Sequence, residues 1–407
     1  MKFNKWTIAL AAVGVVSLAS AAKAEEKTST VLTALSPTTI SGTVDTSMEW
    51  NPGNGNMNAA PYKFNSPSMG DGFNLDEVQL TIEKPLDEQD WAAGYRADLW
   101  FGPYANSLNT TSTGMNTSDF AIRQAYVALR APLGNGLDFK VGVFDSIIGY
   151  ESVDSSKDPN FTRSYGHSIE PQTETGVLAS YRFCDCFSIS GGVANTVGPQ
   201  INQRANLFGG AYTYGPDAES YKAYMGSLAL TAPDSWGFLA GSTLYGGGVC
   251  GYNANLNNQA RLPLVVGKGP LYPGANVTSW YAGATMATPW KALRLGAAFD
   301  WLEISEWPGQ TWAAGAYASL QATEKLSFHA RGEYLKDSCH ILFAPPTDQV
   351  LDVTLTAQYD LWKNVITRVE FRWDRSLNDA HAFSGTMQGF PTAANAYMLG
   401  ANIIYKF

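Results

Sequence analysis

Charged side chains at every second position are the first chemistry the sequence offers. In VITRVEFRWD, Arg368, Glu370, Arg372 and Asp374 form one row, while Val365, Thr367, Val369, Phe371 and Trp373 form the other. A spacing of two puts each row on one face of a strand. Four alternating charges on one face can orient water and polar solutes. The same spacing puts Arg96, Asp98, Arg182, Arg294, Asp300, Arg331 and Glu333 on the polar faces of other segments. A second charged set falls between Ser146 and Thr173, where Glu151, Asp154, Asp158 and Glu170 stand beside Lys157, Arg163 and His167, with Glu174 just beyond. An acidic segment opposite an arginine ladder sets up a transverse field that favours dipolar or charged solutes over apolar ones. Two plainer readings stand beside this one. Each wall charge also reads as half of an interstrand salt bridge, and the acidic segment as a solvated surface loop. Arg368, Glu370 and Arg372 alternate in sign, so they indicate no ion preference.

Acid–base and metal chemistry has less to stand on. Four histidines are available, His167, His329, His340 and His381, and none lies in an H-E-x-x-H or beside a G-x-S-x-G turn. Ser327 and His329 share a strand face. Residues i and i+2 are about 7 Å apart at Cα, which reads as too loose for a nucleophile and its base. YGGGVCGYNANLNN at 245–258 lacks the lysine of a phosphate loop and reads as a mobile external loop. Cys184 and Cys186 flank a turn, and Cys250 and Cys339 fall in or beside distant loops. No full ligand set accompanies them, so neither a metal nor a cofactor is expected.

The elements that must position the charges repeat the same period. Sixteen segments of eight to twelve residues alternate along the chain, including ISGTVDTSMEW from Ile40, WAAGYRADLWF from Trp91, WGFLAGSTLYG from Trp236 and LSFHARGEYLK from Leu326. That length suits a strand crossing a bilayer, which takes roughly 9 to 11 residues. Tight connections, such as 132–136, 184–186, 233–235 and 361–364, alternate with longer ones, such as 51–72, 102–118, 146–173 and 375–394. A sandwich has no reason to segregate loop lengths in this way. The expected fold is therefore all-β: a transmembrane antiparallel up-and-down β-barrel of about sixteen strands, with both termini on the periplasmic, short-turn side. Trp50, Trp91, Trp236, Trp290, Trp312, Trp362 and Trp373 fall at segment ends, where barrels carry aromatic girdles. A barrel of this width is too wide for wall side chains to fill, so a loop or plug decides how open it is.

The chain has 407 residues, with 27 basic and 36 acidic side chains. Its first 24 residues read as a secretory signal: Lys2 and Lys5, an apolar run from Thr7 to Ala21, then Ala22-Lys23-Ala24. Cleavage after Ala24 leaves 24 basic and 36 acidic residues, a net charge of −12. Such a balance argues against a nucleic-acid partner. The expected organisation is a signal at 1–24, a short periplasmic segment at 25–37 and the barrel at 38–407, with 146–173 as the candidate inward loop.

From Gln124 to Pro171 the chain resembles the outer-membrane β-barrel porin family called porin-2 or OmpL-like. The pieces that carry the resemblance are QAYV, the PLGNGL turn, VGVFDSIIGYE and FTRSYGHS, continued by TGVLASYRF and SGGVANT. Val143 stands where the family form carries a lysine, so one inward basic residue is missing. The resemblance implies a passive pore for small hydrophilic solutes or ions in a Gram-negative outer membrane, among lipid and lipopolysaccharide. The layout also resembles that of general porins, which implies a homo-oligomer, a homotrimer in those porins, and a third loop folded inward. The terminal AYMLGANIIYKF alternates to Phe407 and resembles the signal read by the outer-membrane insertion machinery. Two alternatives remain: a barrel with mainly structural or adhesive loops, and an outer-membrane hydrolase built on Ser327 and His329.

Overall fold

Alternation of apolar and polar side chains becomes a barrel once every strand edge is paired. The protein's structure, a computed structural model, describes residues 29–33, 36–53, 55–63, 65–108, 110, 118–204, 221–252, 276–305, 309–378 and 380–407. The expected signal at 1–24 and part of 25–37 lie outside them. In chain order the strands are β1 (Ser29–Thr33), β2 (Ser36–Trp50), β3 (Gly72–Lys84), β4 (Ala93–Phe101), β5 (Phe120–Ala131), β6 (Leu137–Asp145), β7 (Thr173–Cys184), β8 (Phe187–Ala194) and β9 (Ala223–Thr231). They continue with β10 (Thr243–Tyr252), β11 (Asn276–Ala287), β12 (Leu293–Ile304), β13 (Thr311–Gln321), β14 (Leu326–Asp337), β15 (Gln349–Trp362), β16 (Val365–Ser376) and β17 (Asn395–Lys406). Sixteen of them, β2 to β17, pair antiparallel in sequence order. β17 then pairs with β2, Lys406 opposite Thr43 and Leu399 opposite Trp50, which closes the barrel. Closure leaves no unpaired backbone edge in lipid, the condition for strands to span a membrane. β1 folds back on β2, outside the closed wall.

The barrel is inside-out relative to a soluble protein. Among its largest fully buried side chains are Arg163, Arg331, Arg368 and Arg372, whereas Phe73, Leu355, Val369 and Ile403 are exposed on the outer wall. A wall that faces lipid outside and a polar lumen inside produces this pattern.

Two segments depart from the sequence-based expectation. The apolar run from Trp236 was expected to begin a strand, but Asp234–Leu239 is a 3₁₀ turn, and the strand starts at Thr243. Gly237 and Gly241 adopt positive φ (63° and 74°), which ends any extended run there. Trp236 and Phe238 remain exposed at this rim. Conversely, the glycine-rich stretch expected to form an external loop continues β10 as far as Tyr252. Loop lengths segregate as expected except at two places: the 232–242 connection is long for its end, and 305–310 is short for the other.

The closing seam is tight. Gly42 N donates to Phe407 O at 2.9 Å, and Phe407 N donates to Gly42 O at 3.0 Å. A Cβ at Gly42 would lie 2.2 Å from the Gln79 carbonyl oxygen and 2.5 Å from the Phe407 ring. Gly42→Val is therefore expected to lower the yield of refolded, heat-modifiable barrel several-fold in gel-shift assays. An unchanged yield would show that the seam does not limit closure.

Candidate functional site

The segment joining β6 to β7, residues 146–172, runs across the lumen and touches opposite walls with chemically different sides. Its first side is apolar. Ile147, Ile148 and Tyr150 are buried in the same cluster as Leu178, Met225, Tyr245 and Val249 of the β7–β10 wall. The Tyr245 hydroxyl donates to the Ile147 carbonyl. Glycines make the room: a Cβ at Gly247 would lie 3.0 Å from Ile148 Cγ2. The Tyr150 ring stacks on Tyr317 at 4.0 Å between centroids.

The second side bonds to the inward rows of β14, β15 and β16. Arg331 donates to Asp352 at 3.1 Å, to Glu151 at 2.9 Å and to the Thr162 carbonyl at 2.8 Å. Glu370 accepts from the backbone N–H groups of Phe161 (2.6 Å) and Thr162 (2.8 Å) and from the Thr356 hydroxyl (2.6 Å). Arg372 bridges Asp352 (3.0 Å) and Asp374 (2.9 Å) and donates to the Arg163 carbonyl at 2.6 Å. Arg368 donates to the carbonyls of Asp158 (2.5 Å) and Ser155 (3.0 Å). Charge-assisted bonds of this kind are about twice as strong as neutral ones.

A short helix, α1 (Tyr165–Ile169), sits where the two sides meet, and its N-cap Ser164 accepts from His167 N at 3.0 Å. Glu333 accepts from Tyr165 N (2.5 Å) and Gly166 N (2.7 Å), while the Tyr165 hydroxyl donates to Asp374 at 2.7 Å. A Cβ at Gly166 would come within 2.5 Å of Asp300 Oδ2, so glycine is what lets α1 lie against β12.

The acidic residues of the segment differ in environment. Burial pushes Asp158 up to about 7, against the pull of Arg163, which lies 2.9 Å away, and with the push of Glu151. Burial would also raise Asp154, but Lys157 and the hydrogen bonds from Ser156 outweigh it and hold the carboxyl below its usual range. Glu170 is driven well above its ordinary value by burial and then by the Asp300 carboxyl, to which it is hydrogen-bonded. His167 Nδ1 lies 3.7 Å from Glu170 Oε2.

Arg331, Glu333, Arg368, Glu370, Arg372, Asp374 and Asp300 thus meet Glu151, Asp158, Arg163, His167 and Glu170, whereas Asp154 serves as a cap within the segment. Other wall charges stand apart. Arg96 and Asp98 pair with each other at 3.0 Å and with Glu83 and Arg123 in a separate cluster on β3–β5. Arg182 pairs with Asp185 in the short turn at 2.5 Å, and Arg294 is exposed near the same end. Position along the strand separates them from the segment, and facing direction alone does not show it.

Several contributors had no place in the sequence-based set. Asp352 was legible, since it alternates in VLDVTLTAQYD, but Lys63 and Tyr62 belong to a loop without periodicity. A β-bulge opposite Asp45 and Thr46 turns two consecutive carboxylates, Asp76 and Glu77, to the buried side. Alternation cannot foresee that.

Ser327 and His329 correct another expectation. Their side chains meet, with Oγ 3.0 Å from Nε2, so side-chain reach closes the gap that the Cα spacing leaves. The other ring nitrogen faces Ser319 Oγ at 2.8 Å, where a Ser-His-Asp triad places a carboxylate. All four cysteines are free thiols. Among the described residues no group of three or more His, Cys, Asp or Glu side chains is placed to hold a metal ion.

A closed barrel of sixteen antiparallel strands, apolar outside and charged inside, with a long loop laid across its lumen, is the architecture of an outer-membrane channel of the porin type. The chain belongs to the family described as "Putative beta-barrel porin-2, OmpL-like", whose model matches residues 37–407. Solved structures share the fold at low identity. The anion-selective porin from Comamonas acidovorans is 11% identical, with a TM-score of 0.57 over 91% of this chain and 99% of that one. Salmonella typhi OmpF, in complex with daunomycin, is 11% identical, with a TM-score of 0.58 over 93% of this chain and 100% of that one. The channel DcaP of Acinetobacter baumannii is 11% identical, with a TM-score of 0.56 over 91% and 97%. No curated protein matches the sequence significantly. The protein is an outer-membrane barrel of the Gram-negative type, in a family of porin-like barrels.

Proposed function

We propose that the protein is a passive diffusion channel for small hydrophilic solutes or ions, with residues 146–172 as its constriction. The observation that carries this reading is the set of bonds from Glu151, Phe161, Thr162 and Gly166 to Arg331, Glu370 and Glu333, which holds a polar segment across the water-facing side of the wall. A solute must pass beside this segment, so its size and charge are judged there. The reading extends to a homotrimer, both termini on the periplasmic side, contact with lipopolysaccharide, cleavage of the leader after Ala24 and recognition of Phe407 by the insertion machinery.

Refolded protein in a planar bilayer is expected to show stepwise conductance. Silence from well-inserted protein would instead favour a barrel whose loops serve adhesion or surface structure. In the same preparation, ester and phospholipid hydrolysis should stay at background in both wild type and His329→Ala. Activity lost on that substitution would revive the hydrolase reading.

A further inference from the structure

The first long loop, residues 51–71, sends one lysine into the lumen. Lys63 is 5% exposed, and its Nζ donates to the Val153 carbonyl at 2.7 Å and to Glu77 Oε2 at 3.2 Å. The same Nζ lies 4.4 Å from the Tyr104 ring centroid and 4.8 Å from that of Trp100, a fully buried tryptophan on β4. A carboxylate, a carbonyl and two aromatic faces around one nitrogen are what a primary ammonium needs: acceptors for its N–H groups and π-faces for its charge. Three different stretches of chain build this seat around a fourth that fills it.

The surroundings hold more buried carboxyl oxygens than the lysine serves. Asp45, Glu49, Asp76 and Glu77 are all at most 1% exposed on β2 and β3. Glu77 Oε1, Asp76 Oδ2, Asp45 Oδ2 and both carboxylate oxygens of Glu49 are buried without a hydrogen-bond donor. Asp76 and Glu77 face the same side only because of the bulge opposite Asp45 and Thr46. Arg368, the other cation facing Asp45, is already committed to Asp158 and Ser155. Buried acceptors left unserved favour entry of a group that brings N–H donors. Among the described residues, sixteen Asp and Glu side chains are buried against six Lys and Arg.

We propose that the seat formed by Glu77, the Val153 carbonyl, Trp100 and Tyr104 is a recognition site for primary alkylammonium solutes, at which Lys63 is the resident competitor. The inference rests on the channel reading for its access from water, and it narrows the solute class of that channel to amines. Because Lys63 also ties the first long loop to the 146–172 segment through Val153, a solute ammonium that displaces it unfastens one loop from the other. Binding and release are then coupled at one nitrogen.

The test uses n-butylammonium chloride as probe, with n-butanol and tetramethylammonium as controls that lack the charge or the N–H donors. Titrated into the full-length protein in a planar bilayer, and in parallel by calorimetry in detergent, butylammonium should bind wild type weakly. Lys63→Ala, which removes the competitor and vacates the seat, should tighten binding at least tenfold. Adding Glu77→Gln should abolish the gain, n-butanol should not bind, and tetramethylammonium, which meets the aromatic faces but brings no N–H donor, should bind more weakly than butylammonium. Equal affinity in wild type and Lys63→Ala, or a gain that survives Glu77→Gln, would overturn the site. Should Lys63→Ala fail to refold, wild type against Trp100→Phe carries the same decision, since binding must weaken when the larger ring is lost. A protein that conducts but ignores butylammonium loses the seat and keeps the channel. One that binds butylammonium in detergent yet never conducts keeps the seat and loses the channel.

Discussion

Replacing Arg372 with methionine should release the segment from the wall and raise single-channel conductance several-fold. The guanidinium is fully buried, bridges Asp352 and Asp374, donates to the Arg163 carbonyl and lies 3.5 Å from the centroid of the Tyr62 ring. Methionine preserves much of the volume but leaves Asp374 without its cation and Asp352 with Arg331 alone. Breaking a buried pair from one side costs about 3–5 kcal/mol. That exceeds the contribution of any one remaining bond to Glu333, Glu370 or Arg331, about 1.5–3 kcal/mol for a hydrogen bond to a charged group, so the cost should appear as more frequent undocking of 160–167. Hydrogen exchange of those amides should accelerate by at least tenfold while amides in β14–β17 keep their protection. Unchanged conductance together with unchanged exchange would remove Arg372 from any role in holding the segment.

Raising the pH should loosen the same segment from its other end. Glu170 has a folded-state value well above its ordinary 4.5, so the folded protein holds a proton that the unfolded chain releases. Its contribution is complete below 4.5 and declines as pH rises through the folded value. Asp158, raised to about 7, carries the same sign and loses its contribution as pH climbs through that value. Asp154 is lowered, so its contribution is complete above its ordinary 3.8 and is lost as pH falls through the folded value. The groups facing Glu170 are Asp300 on β12, Glu151 and the Tyr150 N–H within the segment, and His167 on α1. Docking should therefore be tightest in a window around pH 4 and weaken as the pH rises toward about 7 and beyond. Exchange of amides 164–170, corrected for its intrinsic pH dependence, should be slowest in that window and at least tenfold faster at pH 9. Glu170→Gln, which cannot ionise, should flatten the alkaline limb. A limb that persists in the glutamine variant would place the titrating group elsewhere.

How much of this was legible in the residues depended on period. Wherever large and small side chains alternate, as in Val365–Ser376 or Asn395–Lys406, the strand and its inward row could be read directly, because a one-residue slip would turn charges toward lipid. Where the period fails, so did the reading. Trp236–Leu239 is apolar without alternation, and the glycine at 237 decides its conformation. Gly246, Gly247 and Gly248 look like loop composition but form wall, since the bare backbone at 247 makes room for Ile148. Asp76 and Glu77 share a side only through a bulge, and Lys63 reaches its seat from a loop with no pattern to read. The Ser327–His329 contact was misjudged by treating Cα spacing as side-chain spacing. The partners of the candidate loop could be guessed in kind, arginine opposite carboxylate, but not one by one: that needs the height of each residue along the barrel, which register sets and spacing does not.

The anchors of the segment have a further consequence, for the order in which the chain can assemble. Gly166 binds Glu333 across 167 residues of sequence, Tyr165 reaches Asp374 across 209, and Arg368 closes on Ser155 across 213. Contacts so distant carry a large loop-closure cost and form late. Until β14–β16 stand in the same wall as β6 and β7, the segment has only its apolar side to rest on. Its settling across the lumen thus belongs to the end of assembly. A barrel that closed before the segment reached β14–β16 would be wide open and would leak to solutes that the finished lumen refuses.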